Sequence, residues 1–322
     1  MTTLTHDATV AAPRSRTASG LAFALVSALT FGLSGALARP LLESGWSAGA
    51  VTLIRVGGAA VLVAPMAVLS LRGNWGAVRR NAGLVVTYGV LAVAGAQFCY
   101  FSAVSYMQVG PALLIEYTAP ATVVVWLWLR QGQRPGAVTL VGAGLAALGL
   151  VLVLDLLSGA DLSVPGVLWA LAAMVGAATY FVISADDTNG LPPLALAGGG
   201  LVVGAVALAL LGLVGLMPLH HASAPVSYAG ATVAPWVPLV LLALVTAAIA
   251  YTTGIAAIRR LGSRVASFVA LSEVLSGVLW AWLLLDELPR PVQLLGGVLI
   301  VAGVVAVKLG ERTVVRVDPV PA

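Results

Sequence analysis

Charge is what this chain has least of. Only 9% of its 322 residues are Asp, Glu, Lys or Arg and 60% are hydrophobic, whereas ordinary soluble domains carry roughly 25% charge. This excludes a soluble globular protein. Cysteine is almost absent: Cys99 is the only one, so there is no disulfide framework and no cysteine-based metal or redox motif, and Cys99 reads as a small packing residue. A Gly-rich phosphate loop ending in Gly-Lys-Ser or Gly-Lys-Thr, a nucleophile elbow, an HExxH motif and paired intramembrane aspartates are all missing. The chain is therefore expected to be no enzyme, to have no catalytic residue, to bind no cofactor or metal, and to draw energy from a gradient instead of from ATP. His220 and His221 share a loop with no Cys, Asp or Glu at metal-ligand spacing. Residues 1–18 lack the apolar core and cleavage site of a signal peptide and read as a disordered cytoplasmic tail.

What is present is apolar sequence in runs of about 20 residues, the length a helix needs to cross the hydrocarbon layer. Mean hydropathy is +1.05. Runs such as Leu84 to Val104 do not alternate apolar with polar, which excludes a β-barrel and leaves helices as the spanning element. Charges, Pro and Gly clusters divide the chain into ten spans: 19–38, 47–70, 82–104, 108–129, 136–154, 165–184, 192–217, 236–257, 264–285 and 291–308. The fold class is all-α integral membrane.

With the amino terminus inside, thirteen of the sixteen basic residues fall on the cytoplasmic side: Arg14, Arg16, Arg72, Arg79, Arg80, Arg130, Arg134, Arg259, Arg260, Arg264, Lys308, Arg312 and Arg316. That bias is the signature of a topology signal and not of a nucleic-acid-binding face. Arg39 and Arg290 lie outside among Glu43, Asp155, Asp161, Asp286 and Glu287, and only Arg55 falls within a span. The link carrying Asp186 and Asp187 is the weak point, because it should be inside yet holds no basic residue. Both termini are placed in the cytoplasm, with residues 310–322 as a C-terminal tail.

Sliding the sequence over itself by 154 residues pairs Ala112 with Ala266, Trp126 with Trp280, Trp128 with Trp282, Pro135 with Pro289, Gly142 with Gly296 and Gly149 with Gly303. Spans four and five thus recur in nine and ten. A looser match of Gly20, Ala24 and Leu25 with Gly166, Ala170 and Leu171 extends this to two repeats, residues 19–155 and 165–309, each of five spans. An odd number inserts the second repeat upside down, an arrangement suited to exposing one midplane site to each side in turn.

Three charges lie well within spans, where each is costly unless it faces a partner, a cavity or water. They are Arg55, Glu116 and Glu273. Arg55 and Glu116 sit at matching depths and can form an ion pair, which leaves Glu273 as the group with the better claim to gain and lose a proton. Around them are Gln97, Tyr100, Tyr117, Tyr180 and Tyr251, with Thr252 and Thr253. These residues either line a substrate or proton cavity or serve only to fix packing and registry. Pro120 removes a backbone donor beside the Glu116 turn and marks a candidate hinge. Trp126, Trp128, Trp280 and Trp282 read as interfacial belts, and the recurring glycines of spans five and ten as close packing within one chain or contacts in a homodimer.

The helix-two stretch Leu53-Ile54-Arg55, the helix-four stretch Ala112-Leu113-Leu114-Ile115-Glu116-Tyr117-Thr118-Ala119-Pro120 and the helix-nine stretch Ser272-Glu273-Val274 through Trp280 to Asp286-Glu287 resemble the EamA family of the drug/metabolite transporter superfamily. Val274 stands where that family usually has proline, and Gln133 where an acidic residue often closes the first repeat. The resemblance implies an inner-membrane secondary carrier that exports amino acids, related metabolites or small drugs. Its partners would be a small-molecule substrate and the lipid bilayer. The alternative from another class is a non-transporting scaffold or sensor subunit.

Overall fold

The computed structural model describes residues 13–104, 106, 115–132, 135–153, 163–286, 288 and 290–311. The positions Ala112, Leu113, Leu114, Gln133, Arg134, Asp155, Asp161, Glu287, Arg312 and Arg316 lie outside the described residues, as do 1–12. The described residues are mostly helical: α1 (Pro13–Glu43), α2 (Ala48–Leu71), α3 (Trp75–Arg80), α4 (Ala82–Thr87), the wider-wound π1 (Tyr88–Gly95), α5 (Ala96–Val104), α6 (Ala119–Gln131), α7 (Ala137–Val153), α8 (Val164–Ala185) and α9 (Pro193–Leu213) come first. A hairpin of β1 (Val226–Tyr228) and β2 (Ala231–Val233) precedes α10 (Trp236–Ala243), π2 (Leu244–Ile249), α11 (Ala250–Leu261), α12 (Ser263–Val269), α13 (Ser272–Leu285) and α14 (Pro291–Glu311).

Helix starts follow local chemistry. Ser47 and Ser163 accept from the first-turn amides of Ala50 (3.2 Å) and Gly166 (3.1 Å), and proline occupies the first turn of α6, α8 and α9, where no donor is lost. Seven helical stretches are long and apolar enough to cross a bilayer: Arg16–Glu43, Ala48–Leu71, Ala82–Ala103, Val164–Ala185, Pro193–Leu213, Trp236–Leu261 and Ser263–Leu285. Three shorter apolar helices, Ala119–Arg130, Ala137–Leu152 and Pro291–Val307, stand where the sequence predicted spans four, five and ten. α1 starts at Pro13, inside the stretch expected to be a tail, and runs to Glu43 instead of stopping near 38. Leu69, Leu129 and Leu213 are each more than 75% exposed on span surfaces, a distribution that fits hydrocarbon and not water.

The helix contacts come in matched pairs. α2 lies along α9 and α7 along α14; α5 and π1 pack on α8 as α11 and π2 pack on α1; α6 touches α8 as α13 touches α1. The α7–α14 seam explains the recurring glycines. A Cβ on Gly149 would sit 2.5 Å from the Gly296 carbonyl oxygen, and one on Gly303 would sit 2.6 Å from the Gly142 carbonyl oxygen. Backbone therefore meets backbone within one chain.

Two kinds of irregularity repeat as well. π1 and π2 occupy corresponding stretches at the 154-residue offset, and the helices of spans four and nine are both interrupted, at Tyr117–Thr118 and at Ala270–Leu271. Pro120 stands just after the first break, but the second forms with Val274 in place of proline. There the amides of Leu271, Glu273 and Val274 bond three residues back, to Phe268 (3.1 Å), Ala270 (2.8 Å) and Leu271 (3.2 Å), a tightened turn that satisfies the backbone without proline.

The hairpin was not foreseen in the sequence. Ala229 (φ 43°) and Gly230 (φ 80°) form its two-residue turn, and the Tyr228 hydroxyl donates to the Leu37 carbonyl at 2.7 Å, pinning it to α1. Burial there pushes the Tyr228 phenol above its ordinary value.

Candidate functional site

The three intramembrane charges reach the same space from different elements. Arg55 projects from the middle of α2 and is 2% exposed. Its Nη1 donates to Gln97 Oε1 at 2.6 Å and its Nη2 to the Thr246 carbonyl at 2.7 Å, while Nε has no partner. The Thr246 carbonyl lies within π2, where the wide turn puts it at Arg55's disposal. Phe31 places its ring centroid 5.8 Å from Arg55 Cζ, within cation–π range.

Glu116 ends the helical fragment before the first break, and Glu273 opens α13 just after the second. The expected ion pair of Arg55 with Glu116 does not form: among the described residues the one salt bridge is Arg39 to Glu43 at 3.0 Å. Gln97 and the π2 carbonyl take the guanidinium's hydrogen bonds instead. Both glutamates nevertheless stand near enough for Arg55 to act on them electrostatically, and Tyr117 lies beside Glu273.

Together these groups line one cavity of about 560 Å³, the size of a small-ligand site. Arg55, Gln97, Tyr100, Glu116, Tyr117, Pro120, Tyr180, Tyr251 and Glu273, all singled out in the sequence, are on its wall. So are residues the sequence reading missed: Ser27, Phe31, Gly254 and Ser267. Ser27 and Ser267 are hydroxyls set among apolar neighbours, which was the available signal. Gly254 had none, yet a Cβ there would collide with the Tyr180 hydroxyl and come within 2.9 Å of Ser27 Oγ. Phe31, Tyr251 and Tyr180 form an edge-to-face series with centroids 5.1 and 5.7 Å apart.

The cavity extends along α1 from Ala24 to Leu42 and reaches Arg39, Leu285 and Gln293 at one end. Toward the other end it stops where Gly20 packs on Leu261 and Arg260 lies 4.7 Å over the Phe23 ring. Thr252 and Thr253 stay off its wall and return their hydroxyls to the Ala248 and Ile249 carbonyls of their own helix. Trp280 is more than a belt residue, since its Nε1 donates to the Leu29 carbonyl of α1 at 2.9 Å. His220 and His221 lie outside the cavity, His221 beside Trp46 with centroids 6.0 Å apart. Among the described residues no three His, Cys, Asp or Glu side chains converge as a metal site would require. Asp186, at the end of α8, is held below the usual carboxylate range by the Thr188 hydroxyl (2.6 Å) and amide (2.9 Å), and together with Asp187 it supplies negative charge to Arg259. This gives the acidic link a role that the basic-loop rule did not.

A search of curated proteins finds no match. A solved crystal structure aligns with a TM-score of 0.72 at 20% sequence identity, covering 92% of this chain and 99% of the other, and so shares the fold. The family model described as "EamA-like transporter family" matches twice, over residues 18–155 and 164–309. Those two matches take in nearly the whole chain, and this protein belongs to the EamA-like transporter family.

Proposed function

We propose that the protein is a secondary carrier of the cytoplasmic membrane, with ten spans arranged as two inverted five-helix repeats and both termini inside, that exports amino acids, related metabolites or small drugs by alternating access. The observation that carries this reading is the single cavity between the matched repeats. It gathers the Arg55 guanidinium and the Glu116 and Glu273 carboxylates, which form no salt bridge with it, with both helix breaks and π1 on its wall and Arg39 at one end. Irregular backbone at membrane depth is tolerated only where it is buried or lines a cavity. Arg55 attracts a substrate carboxylate, the aromatic wall takes an apolar body, and Glu273 carries the proton. The lining that reaches Arg39 and Gln293 but stops at Gly20 and Leu261 fits the outward-facing member of the cycle.

The test is uptake and counterflow in proteoliposomes with a pool of labelled amino acids, with and without a pH gradient. Wild type should show saturable flux that the gradient accelerates, and Glu273→Gln should lose the acceleration while melting like wild type. Flux that Glu273→Gln leaves unchanged removes Glu273 from the mechanism, and no flux from folded wild type overturns the carrier reading in favour of a scaffold or sensor subunit.

A further inference from the structure

Four buried polar atoms without a well-formed hydrogen bond lie on neighbouring residues: Tyr180 Oη, Tyr88 Oη, Ser184 Oγ and Arg259 Nη2, the Tyr88 and Ser184 hydroxyls being near enough to interact. Tyr180 is on the cavity wall, and its ring lies 6.1 Å from that of Tyr88. Tyr88, fully buried in the first turn of π1, has the Ser184 hydroxyl within hydrogen-bonding reach and the Arg259 charge nearby. Arg259 Nε is fixed by the Ser184 carbonyl at 2.9 Å, and its charge is answered by Asp187 and Asp186 at the protein surface. The series thus leads from the cavity wall at Tyr180 to the acidic link at Asp186 and Asp187.

Leaving a buried donor or acceptor unsatisfied costs about 1–3 kcal/mol each, and such groups are ordinarily satisfied by ordered water making two to four hydrogen bonds. We infer that Tyr180, Tyr88 and Ser184 line a narrow water file that connects the cavity with the Asp186–Asp187 surface and conducts protons, not solute. Its use for coupling rests on the carrier reading; its existence does not.

The transfer balances. A proton leaving the Glu273 carboxyl passes to the adjacent water, each hydroxyl and water in the file gives one proton on and receives one, and one proton is released to solvent at Asp186 and Asp187. No group in the file changes its net protonation. Arg259 stays charged throughout, and the two aspartates cancel the barrier it would otherwise raise at the exit. The other groups facing the file or its cavity end are Tyr251 on α11, Glu116 beside the first break and Arg55 on α2. Because π1 positions Tyr88 and π1 packs on α8, the proton route and the solute route share walls but not openings.

Radiolytic hydroxyl labelling of the full-length protein in liposomes, read by mass spectrometry, tests the file without any substrate, because bound water makes buried neighbours react. Tyr88 and Tyr180 should label at least tenfold faster than Phe268, which is equally buried at 3% exposure in an apolar cluster. Labelling of Tyr88 no faster than that of Phe268 overturns the file. In proteoliposomes with an entrapped pH dye and the labelled amino-acid pool, Tyr88→Phe and Ser184→Ala should cut gradient-driven flux at least tenfold, yet leave counterflow at equal pH within twofold of wild type. Equal driven flux in variant and wild type overturns proton conduction by the file even if the carrier reading stands. Loss of counterflow along with it overturns the separation of the two routes.

Discussion

Gly149→Ala tests whether α7 and α14 are held by backbone contact. The added Cβ would lie 2.5 Å from the Gly296 oxygen and 2.7 Å from the Ile300 nitrogen, where ordinary contact begins at 3.4 Å. Neither atom belongs to a side chain that can rotate away, so the helices must part by about 1 Å. A gap of that size forfeits a quarter to a half of each dispersion well of about 0.1–0.2 kcal/mol. Ile300 and Val307, both fully buried on the facing helix, each make on the order of 40 close contacts, about half of them across the seam, which gives a loss of about 1.5–3 kcal/mol. Alanine returns about 1 kcal/mol through helix propensity, so a net destabilisation of about 0.5–2 kcal/mol is expected. Gly144 is the control: it is on the same helix, and its added Cβ meets nothing within 4 Å, so Gly144→Ala should be neutral or slightly stabilising. Reversible unfolding by a denaturing detergent, with far-UV circular dichroism as readout, measures both. Equal stability of the two variants would refute the close-contact argument.

Gly254→Ala should displace the Tyr180 hydroxyl into the cavity, lowering maximal flux several-fold with little change in unfolding midpoint; wild-type flux in liposomes would show that Tyr180 can move aside at no cost. Trp280→Phe removes the 2.9 Å bond to the Leu29 carbonyl and should cost about 0.6–2 kcal/mol in the same detergent titration, whereas Trp282→Phe should cost less. Thr188→Val tests the sign of the Asp186 effect. A carboxyl held below its ordinary value stabilises the fold above the unfolded pKa of about 3.9 and stops doing so as pH falls through the lower folded value. The variant should therefore be weaker by no more than about 0.5 kcal/mol near pH 6, since the site is largely solvated, and should converge with wild type below about pH 3. A gap that widens on acidification would contradict the assignment.

The site was legible in the sequence because charge inside a membrane is so expensive that Arg55, Glu116 and Glu273 had to converge on something polar. The tyrosines and Gln97 followed from depth alone. What could not be read was who pairs with whom. Matching depths suggested Arg55 with Glu116, but hydropathy says nothing of the Thr246 carbonyl, a backbone group freed by a π segment whose sequence, Leu-Val-Thr-Ala-Ala-Ile, looks like any apolar helix. The break at Ala270–Leu271 was hidden for a similar reason. Its expected marker, proline, is absent, and the tightened turn that replaces it is a property of packing on α1. Small residues were legible as close-packing sites, though their partner, another helix of the same chain, required the three-dimensional contacts.

The two repeats share their mechanics but not their chemistry. At the 154-residue offset π1 corresponds with π2 and one helix break lies near the other, yet Gln97 corresponds to Tyr251, Tyr100 to Gly254, Glu116 to Ala270 and Glu273 to Ala119. Each polar residue on the wall therefore faces a partner position of different character. Two halves alike in every lining residue would hold a solute and a proton equally well in both orientations of the cavity. Glu116 precedes the first break and Glu273 follows the second, so in the proposed carrier the two carboxylates would not exchange equivalent positions when the halves exchange conformations, and differential affinity for the two states is what would let a bound proton bias that exchange.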